Sequence, residues 1–253
     1  MARIVAFANQ KGGVAKTTTT LSIGAALAEM GRTVLAVDLD PQAALTYSLG
    51  VDPDALAETV NDVLVRRLPV EKVIVSREID LVPANIDLAG AEAILLAKTG
   101  REYALERALR DVSDTYDYIV IDCPPSLGIL TINGLTAAGE VVIPLQCEAL
   151  SHRGVGQLVE TLGDIRHFTN PNLALTGVIP TMYDGRSRHA RQVLADVGSR
   201  YDLEVLDPPV RKSIRFAEAS QAGLSLLSFA PTHPGAEAYR ELARRIDEKG
   251  LSA

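Results

Sequence analysis

The stretch Asn9-Gln10-Lys11-Gly12-Gly13-Val14-Ala15-Lys16-Thr17-Thr18 follows an apolar run and precedes a helical pattern. Adjacent glycines let a backbone turn sharply and aim several N–H groups at one point. A helix that starts just after such a turn adds the positive end of its dipole. A lysine there supplies a point charge for β- and γ-phosphates, and a following hydroxyl supplies a hard oxygen for Mg²⁺. The spacing therefore predicts a phosphate site built from Lys11, Gly12, Gly13, Val14, Ala15, Lys16, Thr17 and Thr18, with Lys16 on the phosphates and Thr17 on the metal. The competing reading is a glycine-rich turn with surface lysines.

Three acids stand at comparable places. Asp122 closes the run Tyr118-Ile119-Val120-Ile121 and precedes two prolines. A carboxylate at the end of a buried strand is costly without a partner. Mg²⁺, reached directly or through water, is the expected one, and a helix cap is the alternative. Asp38 and Asp40 follow the run Val34-Leu35-Ala36-Val37. Asp38 reads equally well as a support for the metal or the loop lysine and as a purely structural strand end.

The elements that must carry these residues are legible as short apolar runs alternating with longer amphipathic stretches. Beyond the runs already named lie Ile4–Ala8, Ile79–Val82, Val141–Ile143 and Leu175–Ile179, apolar on both faces, as expected of parallel strands covered on each side. Helical patterns occupy 17–30, 103–113, 151–167 and 187–200, and a last one over 234–248 stops before Gly250 as a C-cap. The order predicts an α/β fold, a doubly wound, mostly parallel sheet with helices on both faces, in one domain over residues 1–253. Ligands in such sheets bind at the C-terminal ends of the strands, where the glycines and acids fall.

Composition excludes several classes. Hydrophobic residues make up 47% and charged residues 23% of 253, enough for a sizeable core and against disorder. No run approaches the roughly 18 apolar residues of a spanning helix, and the N-terminus lacks the organisation of a secretory signal, so a cytoplasmic protein is expected. Two cysteines, Cys123 and Cys147, exclude a disulfide framework and read as small buried hydrophobes. The net charge of −7 excludes a globally basic coat protein, yet residues 186–215 hold seven bases against four acids, a local surplus of the kind that meets phosphates. A solvated face without a partner is the alternative there.

The loop departs from GxxxxGK[ST], with Gln10 and Ala15 at its two glycine positions, and fits KGGxxK[ST] instead. In this it resembles the deviant Walker-A ATPases of the ParA/MinD family, and its ParA/Soj branch most. The resemblance runs on through Asp38-Leu39-Asp40-Pro41-Gln42, Asp122-Cys123-Pro124-Pro125-Ser126-Leu127-Gly128, Pro144-Leu145-Gln146-Cys147-Glu148, Thr181-Met182-Tyr183-Asp184 and Arg215-Phe216-Ala217-Glu218-Ala219. It implies a P-loop NTPase that hydrolyses ATP to ADP with Mg²⁺ and forms a homodimer with ATP. Lys11 would reach the partner's phosphates, Lys16 and Asp40 would complete the catalytic set with Asp40 orienting water, Pro124–Gly128 would sense the γ-phosphate, and Met182 and Pro209 would border the adenine. It also implies nonspecific binding of double-stranded DNA through Arg186, Arg188, Arg191, Arg211, Lys212 and Arg215, a ParB-type partner, and nucleoid association in chromosome or plasmid segregation.

Departures qualify this. Ala15 replaces a glycine, which strains the loop if that position needs a positive φ. After Cys147 the segment Glu148-Ala149-Leu150-Ser151-His152-Arg153-Gly154 differs from the family's, with Arg153 at a usually acidic position; this marks a branch with a different partner or cargo. The phosphate loop starts so near the N-terminus that no DNA-binding helix-turn-helix domain is expected before it. A membrane-cycling ATPase of MinD type needs a basic amphipathic tail, whereas 236–249 mixes both signs with few bulky anchors, so no membrane contact is expected. A dinucleotide oxidoreductase would use Asp38 on a ribose but lacks GxGxxG, and no GxSxG supports a serine hydrolase.

Overall fold

The computed structural model describes residues 1–147 and 151–250, the side chains of 151–153 and 250 excepted. Glu148, Ala149, Leu150 and the Arg153 side chain, singled out above, lie outside the described residues. Six strands, β1 (Arg3–Phe7), β2 (Val34–Asp38), β3 (Asp80–Val82), β4 (Tyr118–Asp122), β5 (Glu140–Gln146) and β6 (Ala174–Thr181), pair in parallel in the order β3-β2-β4-β1-β5-β6. The helices are α1 (Lys16–Glu29), α2 (Ala44–Ser48), α3 (Val60–Arg66), α4 (Leu88–Leu96), α5 (Ala104–Leu109), α6 (Ile129–Ala137), α7 (Ser151–Phe168), α8 (Arg188–Tyr201), α9 (Arg215–Gln221), α10 (Leu226–Phe229) and α11 (Pro234–Gly250).

Strand periodicity divides the core in two. Ala6, Ile119, Ile121, Leu35 and Val37 point to one face, where α3 to α8 cover them. Val5, Phe7, Val120, Val34 and Ala36 point to the other, under α1, α2 and α9 to α11. Every residue of β2 and β4 is buried, which accounts for runs apolar on both faces. The loop after β1 leaves toward α1 on one face and the loop after the neighbouring β4 toward α6 on the other. A crevice opens between them, the place where such sheets bind ligands.

Two expectations are corrected. The helical pattern over 103–113 is broken: α5 covers 104–109, with single 3₁₀ turns at 101–103 and 110–112. The last helix runs through Gly250 rather than stopping before it. Its apolar residues Ala236, Tyr239, Leu242, Ala243 and Ile246 are buried in the core beneath α1, so the face a membrane would need is occupied. Among the described residues no helix is long and apolar enough to cross a membrane.

Both edges of the sheet are covered. Val75 exchanges two backbone hydrogen bonds with Leu81 outside β3, at 2.8 and 3.0 Å. Beyond β6, Val178 donates to Glu204 and accepts from Leu206, both at 2.8 Å, and Val210 donates to Pro180 at 2.8 Å. Gly177, at φ 150°, makes this approach possible, since a Cβ there would stand 2.7 Å from the Glu204 carbonyl oxygen.

A polar cluster closes the sheet at the end opposite the crevice. Arg3 grips Glu140 with two N–H groups and donates to the Tyr118 hydroxyl at 2.9 Å. Asp247 of α11 accepts from Tyr118 at 2.7 Å and from Arg32 at 2.9 Å. Burial pushes both carboxyls up, but these donors outweigh it and hold Asp247 and Glu140 below the usual carboxylate range. With the native pKa depressed, the stability these groups contribute is complete above the ordinary values of 3.8 and 4.5 and is lost as acid protonates them in the fold. Asp247→Asn is expected to cost about 1–3 kcal/mol at pH 7. Urea unfolding of both proteins from pH 7 to pH 3 should show that gap shrinking with acid; a gap independent of pH would contradict the assignment.

Candidate functional site

The phosphate loop is pinned before it turns. Asn9 is buried; its amide donates to the Pro144 carbonyl at 2.7 Å and its side-chain oxygen accepts the Lys11 N–H at 2.9 Å. Thr181, at the end of β6, donates to the Val14 carbonyl at 2.9 Å. Gly13 has φ 73° and Ala15 φ 62°, so two left-handed residues fold the loop over the start of α1. Among the described residues no side chain caps that helix, and its first turn holds no acid. Its amide groups therefore face the crevice as an anion site. Ala15 carries the left-handed conformation that glycine would adopt without cost, which is the strain the sequence left open.

Lys16 is buried at the base of the loop, its ammonium 3.4 Å from the Lys11 carbonyl oxygen. Burial lowers its pKa, and the Asp122 charge opposes this. Thr17 donates to Asp122 Oδ2 at 2.6 Å. The Thr20 hydroxyl is 3.2 Å from Asp122 Oδ1 and 3.1 Å from the Lys16 carbonyl oxygen, so its one hydrogen serves one of them at a time. Asp122 is only 1% exposed. Burial pushes its carboxyl up, and the charge of Asp38 adds to this, since the two residues are directly paired on β2 and β4.

This arrangement fits a hard dication. The buried Lys16 faces the charges of two acids, buried Asp122 and half-buried Asp40, so positive charge is in deficit. Thr17 spends its hydrogen on Asp122, which leaves its oxygen lone pairs for a metal and places Asp122 behind the hydroxyl, within reach of metal-bound water. Among the described residues no cluster of three acids, histidines or cysteines could hold a metal alone, so phosphate and water oxygens would complete the shell.

Asp38 does not face the crevice. Fully buried, it accepts the Thr46 N–H at 2.9 Å, the Thr46 hydroxyl at 2.8 Å and the Asp40 N–H at 3.1 Å. Burial pushes its carboxyl up and the Thr46 donors pull it back. It is the strand-end anchor that holds the backbone of Asp40. Asp40 itself is half-buried, with one oxygen accepting the Gln42 N–H at 2.9 Å. In the 124–128 loop, Pro125 lies 3.9 Å from where a Gly12 Cβ would stand, so this loop abuts the phosphate loop.

A cleft of about 380 Å³ adjoins the loop, lined by Ala15, Thr17, Thr18, Met182, Val210 and Phe216, with Arg211 and Lys212 on its wall. Met182 lines the cleft, at φ 47°. Pro209 lines a separate groove beside α11 and does not join Met182. Arg186, Arg188, Arg191, Arg211, Lys212 and Arg215 are all exposed. Arg215 is engaged by Glu218 at 2.6 Å, and Arg191 donates to the Gly185 carbonyl. Among the described residues Arg186, Arg188, Arg211 and Lys212 have no carboxylate partner. Cys123 is buried and Cys147 half-buried, with burial pushing the Cys147 thiol up to about 11, as unreactive thiols. Thr20, Thr46 and Asn9 were missed by sequence reasoning. Thr20 alone had a signal, one helical turn after Thr17 on the same face.

A family model described as an AAA domain matches residues 2–175. The sporulation initiation inhibitor protein Soj of Bacillus subtilis is 42% identical over 253 residues, 99% of this chain and 100% of its own. The chromosome partitioning protein ParA of Myxococcus xanthus is 38% identical over 247 residues, 96% of this chain and 87% of its own. A structure of cobyrinic acid a,c-diamide synthase from Mycobacterium smegmatis with bound ADP and magnesium is 52% identical, with a TM-score of 0.90 over 100% of this chain and 96% of that one.

Relieving the left-handed alanine is the direct test of loop strain. Ala15→Gly is expected to raise the stability of the nucleotide-free protein by about 1 kcal/mol. It should also speed ATP turnover if the strain reaches the reacting phosphates. Denaturant unfolding and steady-state turnover check the two separately; lowered stability would contradict the backbone assignment, and an unchanged rate would confine the strain to folding.

Proposed function

The chain belongs to the ParA/Soj branch of the AAA-domain P-loop ATPases, and from that premise we propose that it is an ATP-switched homodimer that binds DNA nonspecifically and, with a ParB-type partner, positions chromosome or plasmid DNA at the nucleoid. The residues from Lys11 to Thr18 bind the phosphates of ATP or ADP. Lys16 neutralises the β/γ region, and Thr17, backed by Asp122, holds Mg²⁺. Magnesium supplies charge that offsets the triphosphate. Met182 borders the adenine in the cleft; Pro209 reaches it only if its loop shifts.

Asp40 orients the attacking water. One of its oxygens is tied to the Gln42 N–H, which leaves the other for the water, and Asp38 fixes the backbone beneath it. As water attacks, charge builds on the phosphate oxygens, and Lys16 together with Lys11 of a second copy stabilises it. The 124–128 loop, lying against the phosphate loop, follows the loss of the γ-phosphate.

The DNA reading rests on placement. Arg211 and Lys212 are exposed, lack carboxylate partners among the described residues, and form part of the wall of the nucleotide cleft. Cations kept free of acids are available to phosphates, and two copies joined by ATP would double a weak patch through effective concentration. This favours the partitioning names among the relatives over the synthase name of the mycobacterial structure.

Random-sequence duplex binding, followed by fluorescence anisotropy, should require ATP and weaken steeply with salt. Removing Arg211 and Lys212 together, two contacts from each copy, should lower the salt slope by about 4. Equal binding without nucleotide would overturn the switch. Lys11→Ala should still bind nucleotide yet sediment as a single copy with a non-cleavable analogue, where the unmodified chain sediments as a pair. Turnover stimulated by cobyrinic acid and not by DNA would favour the synthase name.

A further inference from the structure

On the face of the sheet away from α1 and the nucleotide cleft, a cavity of about 310 Å³ lies between α3, α4 and α5. Its accessible apolar lining is Leu68, Pro69, Ala104 and Ala108, laid over the buried side chains of Val63, Leu64, Val70 and Leu95. Its rim carries Arg67, Lys98, Arg101 and Arg107 against one acid, Asp111. Four cations to one acid is the reverse of the whole chain, where 25 bases face 32 acids.

The rim is held in place by backbone. Lys98 donates to the Val65 carbonyl, Arg101 to the Leu96 carbonyl at 2.9 Å and to Glu102 at 3.0 Å, and Arg107 to the Gly100 carbonyl at 2.8 Å. Neutral carbonyls fix Lys98 and Arg107 without cancelling their charge, whereas Glu102 offsets that of Arg101, and Lys98 and Arg107 keep N–H groups for a further acceptor. Gly100, at φ 64°, brings the strap after α4 so close that a Cβ there would stand 3.3 Å from Arg107 Nη1. Arg67 follows α3 at φ 59°, ψ 35°, the left-handed C-terminal position where glycine or asparagine is favoured. Among the described residues its guanidinium has no partner. An arginine thus stands in a backbone conformation that disfavours it, at the mouth of a cationic cavity, with no partner among the described residues.

We propose that this cavity is a second ligand site, for a small organic anion whose apolar body sits on Leu68, Pro69 and Ala108 and whose phosphate or carboxylate is gripped by Arg67, Lys98 and Arg107. The apolar lining sets this class apart from inorganic phosphate, and a volume of about 310 Å³, the size of a small-molecule site, sets it apart from an acidic protein segment laid across the surface.

Phenyl phosphate is a suitable probe, titrated calorimetrically into the full chain saturated with Mg·ADP so that the phosphate loop is filled. It should bind at one site and about tenfold more tightly than inorganic phosphate or phenol, each of which offers half of the recognition. Arg67→Gly should weaken phenyl phosphate about tenfold while leaving the melting temperature unchanged or raised, because it removes the charge and relieves the backbone together. Arg107→Gln, which leaves that backbone alone, should weaken it similarly. The proposal is overturned if the ADP-saturated chain does not bind the probe, if both variants bind it as well as the unmodified chain does, if inorganic phosphate binds equally tightly, or if a polyglutamate peptide binds in its place.

Discussion

The structure depends on keeping one carboxylate, Asp122, charged-ready in a place that water does not reach. It ends a strand whose every residue is buried, and the acids Asp38 and Asp40 stand close by. Such a group is tolerable only where donors and cations converge on it. Thr17 and Thr20, one turn apart on α1, supply the hydroxyls, and the Lys16 ammonium supplies charge. This requirement sets where α1 must begin, which residue must precede it, and how the loop before it must fold. Ala15 adopts a left-handed backbone within that constraint.

The same economy explains Asp38. Its three donors come from its own β2–α2 connection, and Thr46 in turn accepts the Ala84 N–H at 2.9 Å, so the ends of β2 and β3 are tied through one side chain. An acid that offers nothing to the crevice still decides where Asp40 can stand. Chemistry at the mouth of the crevice is therefore held by buried residues one layer behind it, on strands whose register leaves no freedom to slide.

Much of this was legible in the sequence. Six apolar runs became six strands, and Thr17 meets Asp122, close to the Lys16 charge, because a glycine turn and a neighbouring strand end leave few other arrangements. The conformation of Ala15 was not legible, since φ is set by how the loop closes on Thr181 and Asn9, residues remote from it or silent in pattern. Nor was the break of the 103–113 helix, which lies where Asn133 of α6 takes up local backbone groups, accepting the Leu105 N–H at 3.1 Å and donating to the Arg101 carbonyl at 2.9 Å. Pro209 and Met182 looked like two borders of one base, yet the chain after β6 turns so that only Met182 reaches the cleft. Short-range pattern specifies elements; the pairing of loops with one another is a long-range property.

The coverage of both sheet margins has a consequence for assembly. Val75 occupies the hydrogen-bonding groups beyond β3, and residues 204–210 occupy those beyond β6. A neighbouring molecule arriving edge-on finds Leu81 on one margin and Val178 and Pro180 on the other already paired, so among the described residues a continuous cross-strand ribbon has no uninterrupted edge to grow from. Any higher-order assembly would then dissolve as readily as its side-chain contacts are switched, without the kinetic trap that shared β-structure imposes.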